Sequence, residues 1–197
     1  MIVGIDPGIS GAVAWLSSAG ALVEVCDLPV AEVKVGKATR RQLMPAVLAK
    51  MLHARKPLCV YVEQVGSHPG EGAVGAFAFG RGFGQIEGIL CGLGLSYVLV
   101  RPQVWKKAIG IAADKGAARH YAARLWPGAA DQFRRVKDDG RAEAGLIGLY
   151  GCRVLGMRDP VPALYGLRAP LPAEKLIPDT PEPRATERSR ATSRKET

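Results

Sequence analysis

The stretch Ile2–Ala14, IVGIDPGISGAVA, is an apolar run that meets Asp6, then Pro7 and Gly8, then small residues that turn apolar again. The two apolar runs, 1–6 and 11–16, predict a pair of strands joined by a tight Asp-Pro-Gly turn. A carboxylate then stands at the mouth of a buried strand. Two readings compete for it. Asp is an ordinary turn residue beside Pro-Gly. It is equally a first ligand for a metal or phosphate at a strand edge. The stretch alone does not choose between them.

The rest of the chain supplies the context. ALVEVCDLPV, from Ala21, predicts a third strand of part-alternating character. VKVGKATRRQ (33–42) is polar and reads as a loop, with Thr39 as a helix N-cap. Residues 40–55, RRQLMPAVLAKMLHAR, have helical spacing at Leu43, Val47, Leu48, Met51 and Leu52, and Pro45 suits the first turn. LCVYVEQV (58–65) is a fourth strand ending near Glu63. The glycine-rich stretch 66–94 has no fixed period and is not a dinucleotide fingerprint. From about Ala73 it predicts a helix, whose glycines lower helix propensity by ~1 kcal/mol each relative to Ala and allow close packing. LSYVLV (95–100) is a fifth strand. Residues 102–109 and 115–126 predict two basic helices, and 137–156 a longer one, apolar at Leu146, Ile147, Leu149, Tyr150 and Val154. This pattern predicts an α/β domain over 1–168 with a mixed sheet of about five strands. Residues 169–197 are rich in Pro and charge, poor in apolar residues, and expected to be disordered. There are no internal repeats.

A chain of 197 residues that is 48% hydrophobic suits one domain with a real core. Cys26, Cys59, Cys91 and Cys152 are scattered with no CxxC pair, and three lie in apolar runs; buried free thiols in a reducing cytoplasm are expected. The N-terminus begins on a strand pattern without a charged leader, and no apolar stretch reaches the ~20 residues of a membrane span. The formal charge is +9, and its distribution is uneven. Residues 101–141 hold ten Lys/Arg against four acids, a local excess of +6. Such a cluster suits a polyanion. Nucleic acid is favoured over the competing reading, a merely solvated basic surface.

Glu63 closes an apolar strand as Asp6 does. If the first and fourth strands are neighbours, the two acids converge at one sheet edge, where they repel unless a cation sits between them. In KDDGRAEAGLIGLYG (137–151), Asp139 and Glu143 are four apart and share a helix face, above Leu146, Ile147 and Tyr150. Asp138 points about 100° away. Helix-dipole pairing explains Asp138 well and Glu143 poorly. Oxygen ligands without a His/Cys cluster favour Mg²⁺ or Mn²⁺ over zinc. His53, His68 and His120 share no spacing. Four carboxylates suffice for two ions ~3.5–4 Å apart, one activating a water and the other stabilising a departing 3′ oxygen.

IVGIDPG, VYVEQV and KDDGRAEAGLIGLYG, in this order, resemble the RuvC-like Holliday junction resolvases of the RNase H-like superfamily. RPQVWKK (101–107) and ADKGAA (113–118) look like that family's basic DNA-binding segment. FGRGFGQIEGIL (79–90) and RPQVWKKAIG (101–110) resemble its phage-type branch. The resemblance covers about residues 1–156. It implies an RNase H-like fold and a dimeric, metal-dependent endonuclease that nicks branched DNA. It carries Asp6, Glu63 and Glu143 over as metal ligands. Familiar members place an acid or a His three residues before the last of these, where this chain has Gly140. The fourth ligand is therefore Asp139 or Asp138, with Asp139 preferred on facial geometry. An aromatic residue often follows the strand-end Glu in the family; Gly66 stands there, which makes other branched or flapped DNA more credible as substrate.

Arg101, Lys106, Lys107, Lys115 and Lys137 are the candidates for phosphate contact. Trp105 could stack on a base, but an apolar helix face suits it better. The helix carrying Arg81 could form a homodimer face, or pack within the chain. Three other functions compete: an RNase H-like nuclease acting on flaps, forks or RNA–DNA hybrids; a sugar-kinase or actin-like phosphate loop, which needs two domains and a longer chain; and a non-catalytic DNA-binding module. The expected setting is the cytoplasm of a bacterial or phage-infected cell.

Overall fold

The computed structural model describes residues 1–156, apart from 37, 67–69, 71, 113 and 115. The expected tail, 169–197, and Lys115 and His68 lie outside the described residues.

The chain runs through β1 (Ile2–Ile5), β2 (Ala12–Leu16), β3 (Leu22–Asp27), β4 (Val30–Val35), β5 (Ala38–Leu43), α1 (Pro45–Arg55), β6 (Cys59–Glu63), α2 (Ala73–Gly92), β7 (Tyr97–Val100), α3 (Pro102–Ile109), α4 (Ala117–Leu125) and α5 (Asp139–Gly156). Two 3₁₀ stretches, Pro127–Phe133 and Val136–Asp138, join α4 to α5. The five-stranded mixed sheet expected from the sequence is present, in the order β3-β2-β1-β6-β7. β1, β2 and β3 are antiparallel neighbours. β6 runs parallel to β1, and β7 parallel to β6.

Strand parity divides the core into two layers. Val3, Ile5, Val13, Trp15, Val60 and Val62 face α1 and α2, meeting Leu48, Leu52, Ile86 and Leu90. Ile2, Ala14, Leu16, Cys59 and Tyr61 face the other way, onto α5 and the α3–α4 region. Successive residues of a strand alternate between faces, so Asp6 and Glu63 belong to the α5 side.

α5 lies directly on β1. A Cβ at Gly4 would stand 2.0 Å from the Ala144 carbonyl oxygen and 2.4 Å from the Gly148 nitrogen. Only glycine at both positions lets the two backbones meet.

One expected element is overturned. Residues 33–42 are not a loop, and Thr39 caps no helix. β4 and β5 form a separate two-stranded hairpin, paired from Val30↔Leu43 to Val35↔Ala38. Its turn begins at Gly36, whose φ of 62° suits glycine. In β4 the apolar Ala31, Val33 and Val35 alternate with Glu32 and Lys34, which is strand periodicity under a polar composition; β5 is polar without alternation. The following helix starts at Pro45, after Met44, and not at Arg40: Arg40–Leu43, expected in the helix, belong to β5, while Pro45 does stand in the first turn.

Candidate active site

Two parallel strands deliver the first pair of acids. Ile5 pairs with Val62, so the next residues, Asp6 and Glu63, stand side by side at the sheet edge. The question raised by the opening stretch has a double answer. Asp6 Oδ1 accepts a hydrogen bond from the Gly8 N–H at 3.1 Å, as a turn residue does. Its Oδ2 faces α5, where a Cβ at Gly140 would lie only 2.9 Å away. Burial is the main influence on this carboxyl and pushes its pKa up to about 7. The Gly8 bond opposes that, the charges of Glu143 and Glu63 reinforce it, and Lys106 opposes it again.

Glu63 is 7% exposed. Burial raises its pKa, the indole N–H of Trp105 counters with a 2.9 Å hydrogen bond to Oε1, and the neighbouring Glu143 and Lys106 charges act in opposite directions. Glu143, in the second turn of α5, pairs through Oε1 with Lys106 Nζ at 2.8 Å. Asp6, Glu63 and Glu143 thus repel one another across a small space, and Lys106 is the cation they share. As they stand, no three Asp, Glu, His or Cys side chains among the described residues grip a common point in the manner of metal ligands; Glu143 is held by Lys106.

The fourth candidate stands apart. Asp139 Oδ1 accepts from Arg119 Nε of α4 at 2.5 Å, and its side chain is 47% exposed. Asp138 is 1% exposed and fully engaged. It accepts from the Arg135 backbone N–H at 2.8 Å and from that residue's guanidinium at 2.8–3.2 Å. These bonds, above all the side-chain ones, hold its carboxyl below the usual carboxylate range. Gly140 accounts for the displaced acid: a Cβ there would meet Ser10 O at 2.6 Å and Gly11 Cα at 2.8 Å. No side chain fits at that position.

The basic residues surround this edge unevenly. Arg101, Lys107 and Lys137 are exposed, while Lys106 is half-buried in the acid cluster. Trp105 is fully buried, as the apolar-face reading expected. Sequence reasoning missed the hairpin's contribution: Lys34, Arg40 and Arg41 are exposed on β4 and β5. Arg41 also reaches the Asp6 turn, donating to Ile9 O at 2.9 Å and to Ser10 Oγ at 3.2 Å. Alternation in VAEVKV was the signal available. Among the described residues, no helix is long and apolar enough to cross a membrane.

No known family model matches the chain. Over 148 residues it is 30% identical to the chloroplastic Holliday junction resolvase MOC1 of Chlamydomonas reinhardtii. That match takes in 64% of this chain, and the chain spans only 17% of the length of this curated relative. Among solved structures, the chain is similar to Thermus thermophilus RuvC in complex with a Holliday junction substrate, at 19% identity and a TM-score of 0.49, over 80% of this chain and 96% of that one. A second Thermus thermophilus RuvC structure is similar at 19% identity and a TM-score of 0.47, over 78% and 95% of the two chains.

Proposed function

We propose that this chain is a RuvC-like, metal-dependent and structure-selective endodeoxyribonuclease, of the phage-type branch, that resolves Holliday junctions or other branched DNA by hydrolysing phosphodiesters. What supports the reading is that Asp6, Glu63 and Glu143, from three distant parts of the chain, lie near enough to one another on the α5 side for their charges to act on each other. The 30% identity to a curated resolvase supports it.

The donor set suits a hard divalent cation. It offers carboxylate oxygens alone, two of the groups desolvated, and among the described residues Lys106 is the cation that opposes their mutual repulsion. Asp6, Glu63 and Glu143 would hold Mg²⁺ or Mn²⁺, with Asp139 turning from Arg119 to supply a fourth carboxylate. Bound there, such ions would supply an activated water and stabilise the departing 3′ oxygen.

The remaining work falls to the chain itself. Lys106 releases Glu143 and turns to the scissile phosphate. Arg101, Lys107, Lys115 and Lys137 hold flanking phosphates and position the duplex without reading its sequence. The exposed cations of β4 and β5 extend that surface to the other side of the Asp6 turn. We take the active form to be a homodimer joined through α2. Among the described residues no atom lies within 4 Å of where a Cβ would stand at Gly80, Gly84 or Gly88, and Phe77 is 75% exposed, so no described part of the chain covers this helix face. The domain is taken as 1–168, with 169–197 a tail, working in the cytoplasm of a bacterial or phage-infected cell.

The test is incubation with labelled four-way, flap, linear and RNA–DNA hybrid substrates, each with Mg²⁺, Mn²⁺ or chelator. Symmetric nicking of the four-way junction, dependent on metal and lost in Asp6→Asn, is expected. Normal cutting by Asp6→Asn, or cutting of the hybrid alone, overturns the reading.

A further inference from the structure

α3 begins where β7 ends, and β7 ends beside Glu63. Val100 is the strand partner of Glu63, and the Gln64 N–H donates to the Val100 carbonyl at 2.7 Å. Two residues later Pro102 opens the helix, so its first full turn rises directly over the Glu63 carboxylate. Trp105 sits on that turn, fully buried. Its single donor, Nε1–H, goes to Glu63 Oε1 at 2.9 Å.

The other two indoles set this bond apart. Trp126 Nε1 donates to the Gly20 backbone carbonyl at 3.1 Å, a purely structural bond. Trp15 Nε1 is buried and has no protein partner among the described residues. This core therefore does not tie every indole to a protein acceptor. The one indole bond made to an acid is made to an acid of the candidate site.

We propose that Trp105 is a positioning residue for the metal centre: its indole N–H fixes one oxygen of Glu63 and thereby turns the other toward the ions. The proposal rests on the metal-dependent nuclease reading above. An indole donor suits the task. It cannot be deprotonated near neutral pH, it carries no charge to compete with a cation, and a buried ring cannot swing away. Lys106, the next residue, holds Glu143 in the same structure, so one turn of α3 steadies two of the three acids. The two grips differ in kind. The ammonium is a rival to a bound cation, whereas the indole is compatible with one. Partners that orient metal ligands in this way typically change affinity or activity 10–100-fold when removed.

The experiment compares wild type, Trp105→Phe, and a chain carrying 3-benzothienylalanine at 105, which keeps the indole shape and replaces N–H by sulfur. Mn²⁺ affinity is read by calorimetry and by electron paramagnetic resonance without DNA, unfolding temperature in chelator, and nicking as a function of Mn²⁺ concentration. Both variants are expected to bind Mn²⁺ about tenfold more weakly. Nicking should be regained at high Mn²⁺, and the benzothienyl chain should unfold at the wild-type temperature. Should Trp105→Phe fail to fold, the benzothienyl chain alone decides. Unchanged affinity in that chain, beside weakened affinity in Asp6→Asn, overturns the role of Trp105 and leaves the metal reading standing. A wild type that binds no Mn²⁺ overturns both.

Discussion

Lys106 Nζ stands 2.8 Å from Glu143 Oε1, and its charge also draws down the pKa values of Asp6 and Glu63. One ammonium therefore balances three acids. Replacing it by methionine leaves the cluster unbalanced. In chelator the Lys106→Met chain should unfold earlier than wild type, by about 1 kcal/mol for a half-exposed pair. Mn²⁺ should remove most of that difference, because a bound cation takes over the neutralisation. Thermal unfolding with and without Mn²⁺ checks this; an equal deficit in both conditions contradicts it.

Asp6 carries a stability cost that depends on pH. Its pKa is raised to about 7 in the fold, above the ordinary carboxylate value near 4, so the folded state prefers the protonated form. Relative to Asp6→Asn, metal-free wild type should match at pH 4, lose ground as pH rises to 7, and stay lower above it. The gap at pH 8 should be on the order of 4 kcal/mol. Urea unfolding in chelator at pH 4.5 and pH 8 measures it. A gap that shrinks with rising pH would reverse the sign of the argument.

Asp138 and Asp139 are adjacent and should fail differently. Asp138→Ala strips the buried bonds to Arg135 and should cost about 1–3 kcal/mol. That contribution is present above the ordinary carboxylate range and is lost as pH falls through the lowered pKa of Asp138. Asp139→Asn removes a half-exposed pair and should unfold near the wild-type temperature while nicking falls by tenfold or more. Parallel denaturation and nicking assays separate the two.

Gly140→Ala places a methyl against Ser10 O and Asp6 Oδ2 at once. The backbone contact has no flexible side chain to yield, so α5 must shift. Loss of both stability and nicking is expected, and circular dichroism melting beside the junction assay tests it. A stable, active Gly140→Ala chain would mean the Asp6 turn moves freely.

The hairpin should contribute to DNA affinity in a salt-dependent way. If Lys34 and Arg40 meet phosphates, the double alanine variant should lower the slope of log affinity against log salt by about 1–2 units, without changing the preference among sequences. Fluorescence anisotropy across a salt series in Ca²⁺ or chelator reads this. An unchanged slope removes the hairpin from the interface.

Much of this architecture was legible in residue order, for physical reasons. Strand parity is strict, so acids one step beyond Ile5 and Val62 had to share a face once the strands were neighbours. α2 was readable from Ala73 onward despite its glycines. The hairpin was missed because β4 alternates only over residues 31–35 and β5, ATRRQL, does not alternate at all. The Asp138/Asp139 geometry was drawn for a continuous helix, but residues 136–138 form a 3₁₀ turn, where 100° per residue does not apply. The bond between Trp105 and Glu63 joins residues 42 apart, beyond the reach of any local spacing rule.

The contact of Gly4 with the backbone of Ala144 and Gly148 has a practical reach. Gly4 is two residues before Asp6, and Ala144 follows Glu143 directly. The spacing of the two backbones that carry these acids is therefore gauged by main chain against main chain, which no rotamer change can widen. Core residues elsewhere could be exchanged in large numbers with the acids still in register, whereas a single methyl at Gly4 would pry them apart.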